Sequence, residues 1–473
     1  MEKFKKVNAR ELLTTNRIDL MAKYIYVEAY VKNKNINWAK EIYCKHIEAF
    51  SGGGFHEPGN ELKNSIDKYL STFNELIDSI LSNGIDENIS QIPISKDGYI
   101  LDGAHRTAIC AYLGKEVPIY LSEGSGIYNY DFFKNMLLEQ KYLDAMVTKF
   151  VEINGSNLFF FIIWPSAYKN TKCLDVADKI IAQYDVLAKK DVEINYNGLR
   201  NFMIQAYQGF EWCGNESNHY SGVEGKVAPC YDKCEKARTY ILKFSNKDEV
   251  IHLKEKIRKI FNLGNHSIHS SDNYKETLLM THLLYNENSI DLLNNGKLDF
   301  DTCLLTKLFD FKKIVNDKKI SLNDCIVDSS SIMGLYGIRK VGDVDYLTSL
   351  DRDFELNDFD CNSEYSNYYM EDVYELITNP NLHCYAFDVK FITLDVLKHF
   401  KINRNQKKDI DDVILINEKL SERKNYKLLI RTILIRAKIK FRNYKTKIRM
   451  FFENNNILFF TKLFHFIKGK GFK

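Results

Sequence analysis

Hydrophobic residues recur along the chain at spacings that predict both helices and strands. In the first 142 residues, apolar side chains repeat every three or four positions and stop before Gly84, which predicts a long amphipathic helix. Its apolar positions are Leu62, Ile66, Tyr69, Leu70, Phe73, Leu76, Ile77 and Ile80. The continuous run Leu158–Trp164 predicts a buried strand, and Thr277–Tyr285 predicts a helix with an apolar stripe. No apolar run approaches the roughly 18–20 residues that span a bilayer.

These elements, with short β-rich runs mixed among helices from Asp324 to about Lys419, favour an α/β (α+β) fold in several domains. The chain has 473 residues, more than one domain usually has, and its 45% hydrophobic and 27% charged content is ordinary for globular proteins. We divide it into segments 1–145, 150–300, 320–419 and 420–473. Ten cysteines at scattered spacings, and an N-terminus without an apolar segment, favour a reducing cytoplasm.

The last segment differs from the rest of the chain in charge. From Ser421 to Lys473 there are 15 Lys and Arg residues against two acids, a net charge of +13; since the whole chain carries +3, the other residues carry −10. Within it, Tyr426–Arg442 places apolar residues on one helical face with basic residues beside them, and a second apolar strip lies roughly opposite. This pattern predicts a basic helical tail that binds the anionic inner face of a membrane. The alternatives are packing on the acidic body, an oligomer contact and, as a third choice, nucleic acid.

A glycine-centred turn marks the first candidate site, at Asp102–Arg106 (Asp-Gly-Ala-His-Arg). A short strand leads into the turn and a helix follows it, so free backbone N–H groups and a guanidinium are available to a phosphate. The stretch of about Gln91–Tyr120 resembles the phosphate-binding element of the ParB/sulfiredoxin family, although Ala104 stands where sulfiredoxins carry a cysteine. The resemblance implies a nucleotide-phosphate site formed by Asp102, Gly103, His105 and Arg106. The alternative is a glycine turn with a structural His–Arg pair.

The second candidate site combines Arg258 with the run His266–Asp272 (His-Ser-Ile-His-Ser-Ser-Asp). This pattern resembles the active-site signature of nucleoside diphosphate kinases, where an arginine precedes a His-Gly-Ser-Asp element that opens a helix. The resemblance implies a ferredoxin-like kinase domain in which His269 accepts the γ-phosphate and passes it to a second substrate through a covalent intermediate. It also implies that Ser271 and Asp272 are local partners of the histidine in phosphate binding, and that Arg258 is a phosphate ligand.

The run Phe159–Pro165 extends this resemblance, because the same family opens with an apolar strand that ends in Lys-Pro-Asp. Trp164 takes the place of that lysine, and Ser270 takes the place of the glycine beside the histidine. In the alternative interpretation, Ser271 or Asp272 is only the N-cap of a helix and His269 is a surface residue.

The third candidate site is a pair of carboxylates, Asp343 and Asp345, that alternate on a predicted strand and so share one face. Such a pair can hold Mg²⁺ (or Mn²⁺) against the phosphates of a nucleotide. The pattern over Asp324–Lys419 resembles the nucleotidyltransferase fold and the related phosphocholine/ribitol-phosphate transferases of surface-glycan pathways.

That resemblance implies a mixed sheet and a third catalytic, metal-binding carboxylate, for which Asp388 is the candidate. It further implies that Ser330, Ser331 and Arg339 contact phosphate, with the two serines standing where Gly-Ser is usual. Lys408 lies in a Lys–Asp helix of the kind found near the end of many such domains.

Three elements suited to phosphate binding predict an enzyme that transfers a phosphoryl or nucleotidyl group from a nucleoside triphosphate or a nucleotide-activated donor. We expect this enzyme to be cytoplasmic or peripheral on the inner face of the membrane. The sequence does not identify the acceptor, which is a glycan, a small molecule or a protein. The third resemblance implies bacterial surface-glycan assembly, such as capsule or lipopolysaccharide. The alternatives are a nucleotide-gated DNA-binding or regulatory protein, and a toxin or defence nucleotidyltransferase.

Overall fold

The described residues form three β-sheets, one in a first unit and two in a second. The computed structural model describes residues 5–55, 64–86, 91–350 and 359–421, together with nine helical residues between 434 and 451. The described residues within 1–32, 39–143 and 425–473 belong to the first unit, and those within 33–38 and 144–424 to the second. Helices and mixed sheets alternate in both units, which confirms the α/β (α+β) class.

In the first unit, strand β1 (Lys5–Asn8) pairs antiparallel with β3 (Glu116–Leu121), and β2 (Ile92–Ile94) pairs parallel with the other edge of β3. Its helices are α1 (Asp19–Val31), α2 (Asn37–Phe50), α3 (Ile66–Asn83), α4 (Ala104–Leu113) and α5 (Tyr130–Asn135); α6 (Gln140–Asn154) continues into the second unit. Helix α3 is the one that the apolar spacing predicts, although Leu62 lies outside the described residues. The Ser65 side chain caps its start, and Gly84 ends it with φ of +74°.

The first sheet of the second unit is built around the predicted strand, which forms β4 (Leu158–Ile163). Antiparallel pairing gives the order β5-β6-β4-β7, with β5 at Asp185–Glu193, β6 at Lys236–Lys243 and β7 at Ile268–Ser270. The helices of this part are α7 (Pro165–Tyr168), α8 (Thr171–Ile181), α9 (Tyr196–Ala206), α10 (Glu224–Tyr231), α11 (Lys247–Phe261), α12 (Tyr274–Leu284) and α13 (Glu287–Asn295). Helix α12 corresponds to the predicted helix Thr277–Tyr285.

Helices α8 and α11 cover one face of this sheet through a buried hydrophobic cluster. The cluster includes Phe161 and Ile163 of β4, Ile268 of β7, and side chains such as Leu174 and Leu253 from the two helices. Because successive side chains of a strand point to opposite faces, the residue after Ile268 projects from the other face of the sheet. That residue is His269.

The second sheet has the order β10-β11-β8-β9. Its strands are β8 (Cys325–Val327), β9 (Tyr346–Thr348), β10 (His383–Ala386) and β11 (Val389–Ile392); β8 and β11 are parallel and the other pairs antiparallel. The helices around it are α14 (Thr302–Asp317), α15 (Ser331–Leu335), α16 (Val373–Thr378), α17 (Leu394–Arg404) and α18 (Lys407–Ser421).

Buried hydrogen bonds join the second sheet to helices α9 and α13, although the sequence pattern predicts separate segments, 150–300 and 320–419. The Phe387 N–H donates to Gln205 Oε1 at 2.6 Å, and the Tyr385 N–H donates to Ser289 Oγ at 2.9 Å. A buried N–H requires a partner, so each bond makes one segment depend on the other. Most of the predicted basic tail, 420–473, lies outside the described residues. No helix in the described part of the chain is long and apolar enough to cross a membrane.

Candidate functional site

His269 lies in a pocket of about 430 Å³ beside strand β7. The residue pairs with Ile162 across the sheet, and the pocket opens on the side where the segment between β5 and β6 folds back over the sheet. Tyr207, Trp212, Gly222, Gly225, Lys226, Arg258, Asn265, Ile268 and His269 line it. The sequence motif therefore supplies two of its polar side chains, Arg258 and His269, while Tyr207 and Lys226 come from a segment that the sequence analysis did not single out.

The imidazole of His269 is held in an aromatic environment. Trp164 is buried and stacks on it with a centroid distance of 6.0 Å, and Tyr207 lies edge-on at 5.1 Å. The Tyr207 hydroxyl is 3.2 Å from Nδ1, whereas Nε2 is shielded from solvent and has no hydrogen-bond partner. Burial, followed by the charge of Lys254, lowers the pKa of His269 to about 3. The ring is therefore neutral near pH 7, as a nucleophilic imidazole must be.

Cationic side chains surround this neutral ring. Lys226 and Arg258 also lower the pKa of His269, together with Lys254, whereas the nearby Asp272 carboxylate raises it. Lys226 Nζ donates to the Asn265 carbonyl at 2.7 Å, and burial lowers the pKa of this lysine. Arg258 Nη1 pairs with Glu255 at 2.6 Å, but its Nε is buried without a hydrogen-bond partner. The pocket is suited to an anion.

Aromatic side chains lie at the same pocket. The rings of Tyr207 and Trp212 have centroids 5.0 Å apart, and Phe210 is 6.5 Å from Trp212. Trp212 is 44% exposed and Phe210 is 49% exposed, which is unusual for side chains of this size. The sequence analysis missed them, although three aromatic residues within Tyr207–Trp212 were a visible signal.

Ser271 and Asp272 do not line this pocket, so their predicted role as phosphate ligands is corrected. Ser271 is fully buried; its hydroxyl accepts a hydrogen bond from the Phe160 N–H at 2.8 Å and contacts Thr277 Oγ1 at 2.8 Å. It thus ties helix α12 to strand β4. Asp272 is exposed and pairs with Lys247 at 3.3 Å. The N-cap of α12 is neither residue, but Asn273, whose side chain accepts from the Glu276 N–H.

Asp343 and Asp345 precede β9 of the second sheet, so the prediction that they lie on a strand was wrong. A third carboxylate, Asp328, follows the end of β8. The Asp328 N–H donates to the Asp345 carbonyl at 2.9 Å, so the two strand ends meet. Burial and the charge of Asp345 raise the pKa of Asp328 to about 7, and burial and Asp343 raise that of Asp345. Asp328 was missed because its buried position depends on Tyr369, whose hydroxyl donates to it at 2.9 Å.

Two of the residues predicted to contact phosphate near these carboxylates, Arg339 and Ser330, form a hydrogen bond with each other. Arg339 makes a bidentate ion pair with Asp412, at 2.7 and 2.9 Å, and its Nη2 also donates to Ser330 Oγ at 2.8 Å. Ser331 is buried and its hydroxyl contacts the Asp343 carbonyl at 3.4 Å. Lys408 is exposed on α18. Arg339 thus fixes α18 against the turn that holds Ser330.

The structure corrects the assignment of Asp388 as the third metal ligand. Asp388 lies in the turn between β10 and β11, before the start of β11, whereas Asp343 and Asp345 lie at the opposite end of the sheet because β11 runs parallel to β8. It pairs instead with His282 Nδ1 at 3.7 Å and with Lys312 at 3.9 Å. Among the described residues, no group of three or more His, Cys, Asp or Glu side chains is arranged to hold a metal ion.

The buried His282 joins Asp388 to a second carboxylate. Its Nε2 lies 3.6 Å from Glu152, and its ring stacks on Tyr385 with a centroid distance of 4.0 Å. Burial alone lowers the pKa of His282, but Asp388 and Glu152 together raise it above the ordinary value. Asp388 is therefore the partner of a buried histidine, whose protonated form it favours.

In the first unit, Gly103 adopts φ of +78° and precedes α4, as the phosphate-binding motif requires. A Cβ at this position would lie 2.5 Å from the terminal methyl carbon of Ile92, so a larger residue would require that side chain to move and would also be strained by the positive φ. His105 Nε2 contacts the Tyr43 hydroxyl at 2.9 Å and is packed edge-on against an aromatic ring. Arg106 Nη2 is 3.9 Å from the exposed Asp102 carboxylate. The four motif residues lie close together, but the His105 ring packs against aromatic side chains.

Comparison with known proteins assigns no function to the three candidate sites. No known family model, no curated protein and no solved structure matches this chain. The family resemblances therefore stay predictions, and the geometry around His269 is the observation from which we infer a function.

Proposed function

We propose that the protein is a nucleotide-dependent phosphotransfer enzyme in which His269 accepts a phosphoryl group. The observation that carries this proposal is a neutral imidazole, with a pKa of about 3, in a pocket whose other polar side chains include Lys226 and Arg258. A neutral ring nitrogen can attack phosphorus, and flanking cations neutralise the charge that develops on the phosphoryl oxygens.

The topology of the surrounding sheet supports the same proposal. Strands β4, β5, β6 and β7 follow one another with α8 between the first two and α11 between the last two, and they pair in the order β5-β6-β4-β7. This order resembles the βαββαβ arrangement of ferredoxin-like folds and supports the proposal of such a fold here. It is the fold that the resemblance to nucleoside diphosphate kinases implies, and His269 lies on its last strand.

The pocket suits a nucleoside phosphate better than a simple phosphate. Its cations, Lys226 and Arg258, lie near His269, and the exposed rings of Phe210 and Trp212 lie beside it. A nucleobase stacked on an aromatic ring gains about 1–3 kcal/mol. We therefore place the phosphates at the cations and the base on the aromatic side chains.

Nδ1 is the attacking atom in this proposal, because Nε2 is shielded from solvent while Tyr207, which contacts Nδ1, lines the pocket. The ring proton is then on Nε2, and the Tyr207 hydroxyl donates to Nδ1 until the phosphate arrives. A bond forms between Nδ1 and the γ-phosphorus, the bond from phosphorus to the β–γ bridging oxygen breaks, and the nucleoside diphosphate leaves with the electron pair. An acceptor hydroxyl oxygen later attacks the same phosphorus and loses its proton to solvent. The bond from phosphorus to Nδ1 breaks, its electron pair returns to Nδ1, and the histidine is again neutral with its proton on Nε2.

The test is labelling of the purified full chain by γ-labelled nucleoside triphosphate and Mg²⁺ without an acceptor. We expect one acid-labile, base-stable label that His269→Ala abolishes. His266→Ala is the matched control, since this neighbouring histidine has Nδ1 against the Cys230 thiol and should leave the label intact. Labelling that survives in His269→Ala would contradict the proposal.

A second candidate function, metal-assisted nucleotidyl transfer, is favoured by the carboxylates at the other sheet. The pKa of Asp328 is raised to about 7 because burial and the charge of Asp345 act on it. A cation would relieve this repulsion, and Mg²⁺ is commonly bound by only one or two carboxylates together with substrate phosphates. Asp343 and Asp345 would hold it there. α-Labelled nucleotide transferred to the protein or an acceptor, and lost in Asp345→Asn but not in His269→Ala, would assign the chemistry to this place.

A further inference from the structure

The end of the chain presents exposed apolar side chains on a helix. The described residues of this stretch are all helical, and they are Leu434, Ala437, Lys438, Phe441, Tyr444, Lys445, Lys447, Ile448 and Phe451. Leu434, Phe441 and Tyr444 are 55%, 71% and 65% exposed. Side chains of this size are normally covered in a folded protein when they recur on one element.

The spacing of these three side chains places them on one face of an α-helix. Phe441 follows Leu434 by seven positions and Tyr444 follows Phe441 by three, which are the spacings that return to the same side of an α-helix. Lys438 and Lys445 each lie four positions after an apolar residue of this set and so stand beside it, and Lys447 lies three positions after Tyr444. The apolar strip therefore has lysines close to it, and all three lysines are exposed.

The net charge of this segment indicates what kind of surface would cover the apolar strip. The residues from Ser421 to Lys473 carry a net charge of +13. Long lysine side chains can lie along an apolar surface while the ammonium group reaches an anionic head group. Exposed apolar and aromatic side chains with lysines beside them are the pattern of a helix that lies in the plane of a bilayer. Nucleic acid would satisfy the lysines but would leave Leu434 in water.

We propose that this helical face binds the surface of an anionic lipid bilayer, with Leu434, Phe441 and Tyr444 in the acyl boundary and Lys438, Lys445 and Lys447 at the lipid phosphates. This interaction is independent of the chemistry at His269. Phosphotransfer would then take place next to the membrane.

The test is sedimentation of the full chain with vesicles of neutral phosphatidylcholine, or of phosphatidylcholine with 30% phosphatidylglycerol. We expect binding only to the anionic vesicles, weakened by salt. Each lysine should contribute about fivefold to the partition coefficient, so the triple variant Lys438→Gln/Lys445→Gln/Lys447→Gln should lose on the order of 100-fold. Leu434→Ser/Phe441→Ser should lose binding with its charge unchanged.

Matched controls use exposed residues of the second unit. Lys172→Gln/Lys179→Gln/Lys313→Gln removes the same charge, and Met370→Ser/Ile414→Ser removes comparable exposed apolar area. Both should bind vesicles as the wild type does. Equal vesicle binding by the wild type and both tail variants overturns the proposal. The proposal is also overturned if the wild type prefers a 30-nucleotide single strand to anionic vesicles and only the tail lysine variant loses binding to that strand.

Discussion

The contact between Asp388 and His282 allows a direct test of whether Asp388 is the partner of a histidine or a metal ligand. The substitution Asp388→Asn keeps the shape of the side chain and removes its charge. In the absence of metal, a metal ligand could lose its charge without destabilising the folded state. A carboxylate that stabilises the protonated form of a buried histidine could not do so at a pH where that histidine is charged. We therefore expect this substitution to destabilise the second unit.

The magnitude follows from the burial of the two partners. Removing one member of a buried ion pair costs about 3–5 kcal/mol, whereas an exposed pair contributes about 0–1 kcal/mol. His282 has 2% side-chain exposure and Asp388 has 40%, so the pair lies between these limits. Glu152 remains beside His282 in the variant and partly compensates. We expect a loss of about 1–3 kcal/mol in the free energy of unfolding.

The pH dependence of this loss can be given a sign. The folded-state pKa of His282 is raised, so its contribution is complete below the ordinary histidine value and disappears as pH rises through the folded value. Burial raises the pKa of Asp388, but the nearby His282 ring and the charge of Lys312 lower it overall, so its contribution is lost only in acid. The difference between wild type and variant is therefore largest near pH 5–6. It should narrow towards pH 9 without vanishing, because Lys312 remains beside the carboxylate.

Urea unfolding of the full chain, followed by circular dichroism at pH 6 and pH 9, measures this difference. Asp310→Asn removes an exposed carboxylate from α14 and serves as the control, with an expected change under about 0.5 kcal/mol. Equal urea midpoints for Asp388→Asn and wild type at pH 6, or a difference that grows towards pH 9, would refute the reasoning.

Three further predictions concern single positions. Gly103→Ala should destabilise the first unit more than Gly98→Ala, since both glycines have positive φ but only at Gly103 would a Cβ meet a neighbouring side chain. We expect the two variants to differ by about 1–3 kcal/mol in the free energy of unfolding, which thermal melting would detect as a lower melting temperature for Gly103→Ala. Ser271→Ala should cost about 1–3 kcal/mol in urea unfolding, because it leaves a buried N–H without its acceptor, and should leave nucleotide affinity unchanged. Lys226→Met should raise the pKa of His269 above about 3, as followed by NMR titration of the imidazole, while burial keeps it below the ordinary value.

The sequence by itself determined the elements whose signal is local. Apolar spacing located α3 and Gly84 fixed its end, and the continuous run Leu158–Trp164 gave β4. Periodicity works here because burial of one face selects residues three, four or two positions apart, and this selection is visible within a single element. The motif around His269 was visible for a similar reason, since the histidine and Arg258 lie on consecutive elements.

Only the tertiary structure decided which distant side chains meet. Lys226 and Tyr207 reach His269 because the segment between β5 and β6 folds back over the sheet, and no local pattern encodes that return. The same holds for Asp388. Its position in the sequence suits a third carboxylate, but strand direction decides the outcome: β11 runs parallel to β8, so the residue that precedes β11 lies at the end of the sheet away from Asp345. Strand direction depends on how the intervening chain crosses the sheet, which is a property of the folded chain and not of any short segment.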